Sequence, residues 1–221
     1  LLEDMLADAG LFPLSDVDGN TYQVINIGNR LWMAENLRVT KYNDGTDIPL
    51  AADSATWANL TTPGYCWYNN DSATYAGSYG ALYNWYTINT GKLCPSGWHA
   101  ATDEEWKMLE LALGMSESEL GNTGWHGTDE GSQLAGRKSL WMDGDLKIHL
   151  AFGSSGFEGL PAGARDDFGR SLGVGEGAWF WCATKAGTVG AWYRSLSYMN
   201  NAIYRNYHGK QLGFSVRCVR D

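Results

Sequence analysis

The sequence predicts an α+β domain, and three observations lead to this fold class. Two segments in the first half carry helical signals, alternating strand-like runs stand near both ends, and a long Gly-rich stretch separates them. Apolar residues three and four positions apart are typical of helices, whereas strict alternation is typical of half-buried strands. With 221 residues and 44% apolar content, the chain can build one substantial core. Several α+β folds would satisfy this pattern.

The chain is expected to form a single domain over residues 16–221, preceded by an arm at residues 1–15. The first residues, "LLEDMLADAGL", predict a short amphipathic helix or arm. They contain no basic stretch and no cleavage site, so we expect the natural signal or lipid anchor to lie outside this chain. No apolar run approaches the roughly 20 residues that a membrane-spanning segment needs.

Local signals predict one hairpin and two helices in the first half. The turns Asp18-Gly19 and Gly28-Asn29 bracket the alternating run "TYQVINI" and predict a β-hairpin. The segment "SYGALYNWYTINTG" has apolar residues at helical spacing and a final Gly, which predicts the first helix. In "TDEEWKMLELALG" a Thr and a Glu three positions later fit a capping box, which predicts the second helix.

The second half is Gly-rich before strand signals return. The stretch "GLPAGARDDFGRSLGVGEG" predicts a long loop, and "AWFWCAT", "GAWYRSLSY" and "GFSVRCVRD" predict strands. Successive side chains of a strand point to opposite faces. In the second of these strands, the predicted core face therefore carries Trp192, Arg194, Leu196 and Tyr198. The other face carries Tyr193, Ser195 and Ser197.

Charge and motifs exclude several classes of function. The net charge of −9 gives no basic surface for phosphates, so nucleic acid and anionic membranes are not expected as partners. No phosphate-binding G-x-x-x-x-G-K-[ST] loop occurs, and the four His residues lack metal-ligand spacing. We therefore expect no enzyme and no catalytic residue. One enzymatic alternative stays open, because a glycosidase needs only two suitably spaced carboxylates, such as Asp166 and Asp167.

Three stretches carry a family resemblance. They are "YQVINIGNRLWMAENLRVTKYNDGTDIP", "YCWYNNDSATYAGSYGALYNWYTINTGKLCPSGWHAATDEEW" and "AWYRSLSYMNNAIYRNYHGKQLGFSVRCVRD". Together they closely resemble the Fibrobacter succinogenes major paralogous domain, a family common in secreted proteins of Bacteroidetes-type bacteria. The order of a helix, W-H-x-x-T-x-x-E-W and a terminal G-F-S-V-R-C is also similar to the formylglycine-generating-enzyme branch of the C-type lectin fold.

The second resemblance implies a C-type-lectin-like fold, with two helices packed on short antiparallel sheets and with long Gly-rich loops. The reactive cysteine pair of that enzyme branch is missing from "SLSYMNNAIYRNY", so its oxidase chemistry is not expected. The packing of such folds makes a disulfide between Cys94 and Cys218 geometrically possible. Pairing of Cys66 with Cys182 stays open, and four reduced, buried thiols are the alternative. No cofactor is expected, although carboxylates of "ARDDFG" or "NDGTD" could bind the calcium that is common in lectin-like folds.

The closing hairpin carries the candidate ligand-binding residues. They are Tyr193, Ser195, Ser197, Asn200, Asn201, Tyr204, Asn206 and His208. Tyr offers rigid contact area, and Ser and Asn offer adaptable hydrogen bonds, as in antibody paratopes. The alternative is that the Asn residues fill turns and the Tyr residues pack at the rim without any ligand. Lectin-like proteins diversified by retroelements vary such codons, so these eight residues are also a hypothetical variable surface.

These observations predict a secreted or cell-surface recognition and adhesion module. It would bind a glycan or a protein through the terminal hairpin and the long loops. One alternative is a structural or adhesive component of surface appendages. Another is a carbohydrate-active enzyme, which would need a carboxylate pair in a cleft with a raised pKa on one member.

Overall fold

The computed structural model describes residues 13–221 and has a mixed α+β fold, as predicted. The predicted arm at residues 1–15 lies outside the described residues as far as residue 12, and Leu14–Ser15 form strand β1. The described chain contains four small sheets and six short α-helices. Within it, no helix combines the length and the apolar character needed to cross a membrane.

The predicted hairpin is confirmed near the start of the described chain. Strand β1 pairs with β2 (Thr21–Tyr22) across the turn that contains Asp18-Gly19. Strands β3 (Val24–Ile27) and β4 (Arg30–Met33) form the next antiparallel pair. Gly28 and Asn29 between them both have a φ of 62°. This left-handed backbone is the one that a two-residue hairpin turn of this type requires.

The helices are short, and the predicted capping box is confirmed. They are α1 (Ser54–Ala58), α2 (Ser72–Tyr79), α3 (Trp85–Ile88), α4 (Asp103–Ala112), α5 (Glu130–Leu134) and α6 (Asp145–Ile148). At the start of α4, the Thr102 hydroxyl accepts a hydrogen bond from the Glu105 N–H, and the Glu105 carboxylate accepts one from the Thr102 N–H. Gly114 follows the helix with a φ of 112°, so both ends of the second predicted helix are correct.

The single helix predicted over "SYGALYNWYTINTG" is wrong. The chain there forms the end of α2, strand β6 (Leu82–Tyr83) and then α3. Gly80 has a φ of 77°, and a Cβ at this position would lie 2.8 Å from the Leu37 carbonyl oxygen. Helix α2 therefore ends where the segment that contains Leu37 packs closely against Gly80. Strand β6 pairs with β5 (Tyr65–Cys66), so tertiary strand pairing overrides the helical spacing.

The largest sheet has six strands in the order β10-β9-β11-β12-β13-β8. They are β8 (Gly124–His126), β9 (Ala162–Arg165), β10 (Ser171–Val174), β11 (Gly177–Ala186), β12 (Gly190–Ser197) and β13 (Asn200–Gly209). The long loop predicted over "GLPAGARDDFGRSLGVGEG" is wrong, because its middle is the hairpin β9–β10. A Cβ at Gly163 would lie 2.5 Å from the Leu172 carbonyl oxygen, so small residues here serve close backbone packing.

The two faces of this sheet pack on different apolar clusters. One cluster contains Trp181, Tyr193 and Phe214, and the other contains Phe180 and Leu196. The alternation predicted for β12 is therefore correct. The face of Tyr193, Ser195 and Ser197, which was expected to be exposed to solvent, is nevertheless covered in the middle of the strand, since Tyr193 is only 9% exposed. Two predicted core residues, Trp192 and Tyr198, are only partly buried at the edge of the second cluster.

A four-stranded sheet joins distant parts of the chain in the order β3-β4-β14-β7. It contains β7 (Trp98–Ala100) and β14 (Cys218–Arg220). The disulfide between Cys94 and Cys218, which the resemblance made geometrically possible, is present, with 6.0 Å between the Cα atoms. Cys66 and Cys182 are unpaired and buried. Burial raises the pKa of the Cys66 thiol to about 11, so this thiol is protonated at neutral pH.

Candidate functional site

A row of side chains crosses four adjacent strands on one face of the six-stranded sheet. The strand registers place Trp125 opposite Tyr204, Tyr204 opposite Ser195, and Ser195 opposite Trp179. Directly paired residues point to the same face, with strands about 4.8 Å apart. Trp125 is 44% exposed and Ser195 is buried, whereas Tyr204 and Trp179 are partly buried. We call these four residues the aromatic row. Within it, the small Ser195 lies between the rings of Tyr204 and Trp179.

Glycines set the position of Trp179. A Cβ at Gly173 or at Gly177 would lie 2.9 Å or 2.6 Å from Cη2 of the indole. The ring therefore lies against the backbone at two positions where only glycine leaves room. It also stacks on Phe214 at a centroid distance of 6.5 Å and an interplanar angle of 25°. The Gly-rich stretch thus fixes an aromatic side chain of the row.

Trp125 and Tyr204 form the more exposed end of the aromatic row. Their ring centroids are 5.0 Å apart in an edge-to-face arrangement, which aromatic pairs favour. The Asn206 amide donates a hydrogen bond to the Tyr204 hydroxyl at 2.9 Å. No group in the described part of the chain binds the Trp125 indole N–H. This end of the row therefore offers a ring surface together with a free hydrogen-bond donor, the Trp125 indole N–H.

A depression of about 220 Å³ lies beside the aromatic row. Its lining includes Trp179, Tyr193, His208 and the loop carboxylates Asp166 and Asp167. Partial burial raises the pKa of Asp166, but hydrogen bonds from the Arg170 backbone and guanidinium outweigh burial and hold the pKa below its usual range. Asp167 makes no hydrogen bond or ion pair within residues 13–221. In the depression, the carboxylate of Asp166 is therefore paired with Arg170, whereas that of Asp167 has no partner among the described residues.

Five of the eight predicted ligand-binding residues lie on the face of the aromatic row. They are Tyr193, Ser195, Tyr204, Asn206 and His208. Tyr193 and Ser195 are only 9% and 7% exposed, and burial raises the pKa of Tyr193 to about 12. His208 is exposed, and Tyr204 and Asn206 are partly buried. A ligand on this face would therefore contact mainly the last three.

The other three predicted residues, Ser197, Asn200 and Asn201, lie at the hairpin tip. Asn200 accepts a hydrogen bond from a backbone N–H two residues further on, at 2.9 Å. Asn201 accepts one from the Ser132 hydroxyl of α5 at 3.3 Å. The register between β12 and β13 shifts after Ser195, so the strict alternation assumed from the sequence ends there. These side chains stabilise the tip.

An ionic cluster lies beneath the opposite face of the same hairpin. Arg194 donates hydrogen bonds to Glu110 and, at 2.7 Å, to Asp103. Arg205 donates to both oxygens of Asp103, at 2.9 Å and 2.7 Å. All four residues are buried, and His126 Nε2 lies 3.6 Å from Glu110. Burial alone would raise the pKa of Asp103, but the two guanidinium groups outweigh it and hold the pKa at about 2.

This cluster was missed by the sequence analysis, although a signal for it exists. The alternation of β12 did place Arg194 on the core face. Asp103 and Glu110 are seven positions apart, which puts both carboxylates on one face of α4. A buried charge needs a partner, so an Arg in a core strand together with two acids on one helix face predicts such a pairing.

Metal ligands are not brought together in the part of the chain that the structure describes. Within residues 13–221, no three His, Cys, Asp or Glu side chains are close enough to hold a metal ion. Two of the four carboxylates considered for calcium have other partners. Asp44 pairs with Lys92 at 2.8 Å, and Asp166 pairs with Arg170 at 2.7 Å. The described residues therefore assign no ligand set to calcium.

Comparison with known proteins gives one match. The Fibrobacter succinogenes major domain matches residues 25–220, a range that includes the aromatic row, the disulfide and the buried ionic cluster. No curated protein and no solved structure matches the chain. Because the match covers most of the sequence, the family resemblance seen in the sequence motifs is confirmed. The chain belongs to the Fibrobacter succinogenes major domain family.

Proposed function

We propose that this domain is an extracellular recognition module that binds a glycan or a protein segment across the aromatic row and the adjacent depression. The observation that carries the proposal is the row itself, in which two indoles and a phenol from separate segments line up on one sheet face. Aromatic rings offer rigid apolar contact to sugars and to peptides alike. His208 and Asp167 add hydrogen-bonding groups at the border of the row.

Two further features support this proposal. The disulfide between Cys94 and Cys218 fits a secreted or surface-exposed protein, because disulfides persist in oxidising compartments. The similarity of W-H-x-x-T-x-x-E-W and G-F-S-V-R-C to the formylglycine-generating-enzyme branch supports a C-type-lectin-like fold. Known domains of that fold bind ligands on a surface built from the long loops and last strands, where the aromatic row lies.

The carbohydrate-active alternative has less support. Catalysis by two carboxylates needs an acid with a raised pKa in a cleft beside a second carboxylate. The buried acids Asp103 and Glu110 are instead paired with arginines beneath the sheet. In the depression, the pKa of Asp166 is lowered. Nothing among the described residues adds support to the alternative of an appendage component.

The hypothesis of a retroelement-varied surface now rests on the accessible members of the predicted set, Tyr204, Asn206 and His208. It requires a template repeat and a reverse transcriptase gene near this gene in the source genome. Absence of both would exclude it. The recognition proposal does not depend on this hypothesis.

Binding of the purified domain to a glycan array and to a display library of surface proteins tests the recognition proposal. The double variant Trp125→Ala/Tyr204→Ala removes the exposed end of the aromatic row. Tyr207→Ala is the matched control, because Tyr207 is 56% exposed and lies on the opposite face of β13, paired with Trp192. We expect the double variant to lose binding and the control to keep it, with melting temperatures near that of the wild type. Wild-type binding by the double variant would reject the aromatic row as the site.

A further inference from the structure

A second pocket is lined mainly by polar side chains, and several of these have no hydrogen-bond partner among the described residues. It has a volume of about 210 Å³ and shares no lining residue with the depression beside the aromatic row. Its wall includes Thr21, Gln23, Ser78, Arg38 and Arg137. Within residues 13–221, the side chains of Thr21, Gln23, Ser78 and Arg137 make no hydrogen bond and no ion pair. With Glu35 and Asn36, seven polar side chains therefore converge, and four of the seven have no partner among the described residues.

The floor of this pocket is fixed. Asn36 is 3% exposed, donates to the Tyr79 carbonyl at 2.8 Å and accepts from Arg217 Nε at 2.9 Å. A Cβ at Gly80 would lie 2.8 Å from the Asn36 Cβ, so the end of α2 approaches Asn36 as closely as the backbone allows. The pocket is therefore shaped by buried contacts.

The backbone at Arg137 is strained. Its φ is 47° and its ψ is 70°, a left-handed conformation that residues with a Cβ disfavour and glycine adopts easily. Strain of this kind persists where the surrounding structure requires it, often at binding sites. A glycine would relieve the backbone here, but it would remove the guanidinium that lines the pocket. Glu158 has the same kind of backbone, with a φ of 51°, but does not line the pocket.

The charges in the pocket favour an anion. Arg38 and Arg137 bring two positive charges and Glu35 brings one negative charge, so the pocket is net positive in a chain of net charge −9. Arg38 already meets a carboxylate there, since its Nη1 lies 3.5 Å from Glu35 Oε2. Guanidinium groups pair with carboxylates through two parallel hydrogen bonds, and Arg137 is free to do so.

We propose that this pocket binds a small carboxylate with a polar body, and that Arg137 pairs with its carboxylate group. The hydroxyls of Thr21 and Ser78 and the amide of Gln23 would bind the polar body. A pocket of this volume takes a ligand smaller than a typical drug-sized molecule. A sugar acid and the carboxylate end of a peptide share this chemistry. The proposal concerns a site separate from the aromatic row, so either proposal can fail without the other.

Calorimetric titration of the domain with D-galacturonate, N-acetyl-L-alanine and neutral D-galactose tests this assignment. We expect at least one of the two carboxylates to bind at least ten times more tightly than galactose, and the one that binds identifies the source. Arg137→Gly should weaken that binding at least tenfold while raising the melting temperature, because glycine relieves the backbone. Glu158→Gly is the matched control and should keep the affinity. Binding of neither carboxylate, or wild-type affinity in Arg137→Gly, would overturn the proposal.

Discussion

Arg194 of β12 and Asp103 of α4 are 91 residues apart in the chain, and their side chains meet at 2.7 Å in the interior. Arg205 of β13 binds the same carboxylate at 2.7 Å. One aspartate therefore joins the longest described helix to two neighbouring strands. The aromatic row lies on the other face of these strands. The ionic cluster therefore fixes the two strands that carry Ser195 and Tyr204 of the row against α4.

Replacing Arg194 with Met should strongly destabilise the domain. The change leaves Glu110 without its guanidinium partner and Asp103 with one partner fewer. Breaking a buried ion pair typically costs about 3–5 kcal/mol, and we expect a loss of this size in the free energy of unfolding, measured by urea denaturation. Lys107→Met is the control, because Lys107 contacts Asp103 from a more exposed position and should cost at most about 1 kcal/mol. Equal losses in the two variants would contradict this account.

Stability should fall as the pH rises from about 6.5 to about 9. The His99 imidazole lies 2.9 Å from Glu105 and 2.5 Å from Asp221. These bonds, led by that with Glu105, raise its pKa from 6.5 to about 9. Because the folded pKa is the higher one, the stabilisation is complete below the unfolded pKa and is lost as the pH passes the folded pKa. His99 is partly exposed, so we expect a loss of about 1 kcal/mol.

Urea unfolding at several pH values across this window measures that loss. The His99→Gln variant cannot gain a proton at this site, so its stability should change less over the same window. A slope as steep in His99→Gln as in the wild type would assign the pH dependence to other groups.

Gly80→Ala should destabilise the domain more than Gly45→Ala does. Both glycines have a positive φ, of 77° and 85°, which costs an alanine at least about 1 kcal/mol. At Gly80 the new Cβ would also meet Asn36 and Leu37 at 2.8 Å, whereas at Gly45 nothing lies within 4 Å. We expect an additional loss of about 1–3 kcal/mol for Gly80→Ala. Equal melting temperatures of the two variants would show that the segment near Asn36 moves away freely.

Reduction of the disulfide should lower the stability of the wild type. Cys94 and Cys218 are separated by 124 residues, and closing a loop of this length contributes about 5 kcal/mol in the chain-entropy model. Dithiothreitol should therefore lower the melting temperature of the wild type and leave that of Cys94→Ala/Cys218→Ala unchanged. Cys66→Ala is a matched control, since Cys66 is unpaired and buried and its removal should preserve the response to dithiothreitol.

Elements with strong local signals could be predicted from the sequence, and elements that depend on distant partners could not. Thr102 and Glu105 define the start of α4 by their own hydrogen bonds, and Gly28-Asn29 defines a turn by backbone preference. The segment around Leu82–Tyr83 has helical spacing, yet it pairs as a strand with residues far away in sequence. Three of the four residues of strand β9 are Ala or Gly, a composition that resembles a loop, and the strand is defined by its pairing with β10.

The candidate site was predicted in part for the same reason. The alternation of β12 and β13 correctly grouped Tyr204, Asn206 and His208 on one face. Trp125 and Trp179 were missed, because only the strand order and register bring them into line with Tyr204. The sequence also gave no sign that Phe214 covers Tyr193, a contact at 5.2 Å between ring centroids.

The position of β14 between β4 and β7 has a consequence for synthesis. On the ribosome, β4 and β7 emerge long before residues 218–220, so the four-stranded sheet stays in two pieces until residues 218–220 appear. Until then, β4 and β7 keep unpaired edges, which can recruit strands of other chains. Cys94 likewise cannot form its disulfide until Cys218 has been synthesised. A nascent chain halted before Cys218 should therefore remain protease-sensitive and dependent on chaperones, whereas a chain synthesised past residue 220 should complete the sheet rapidly.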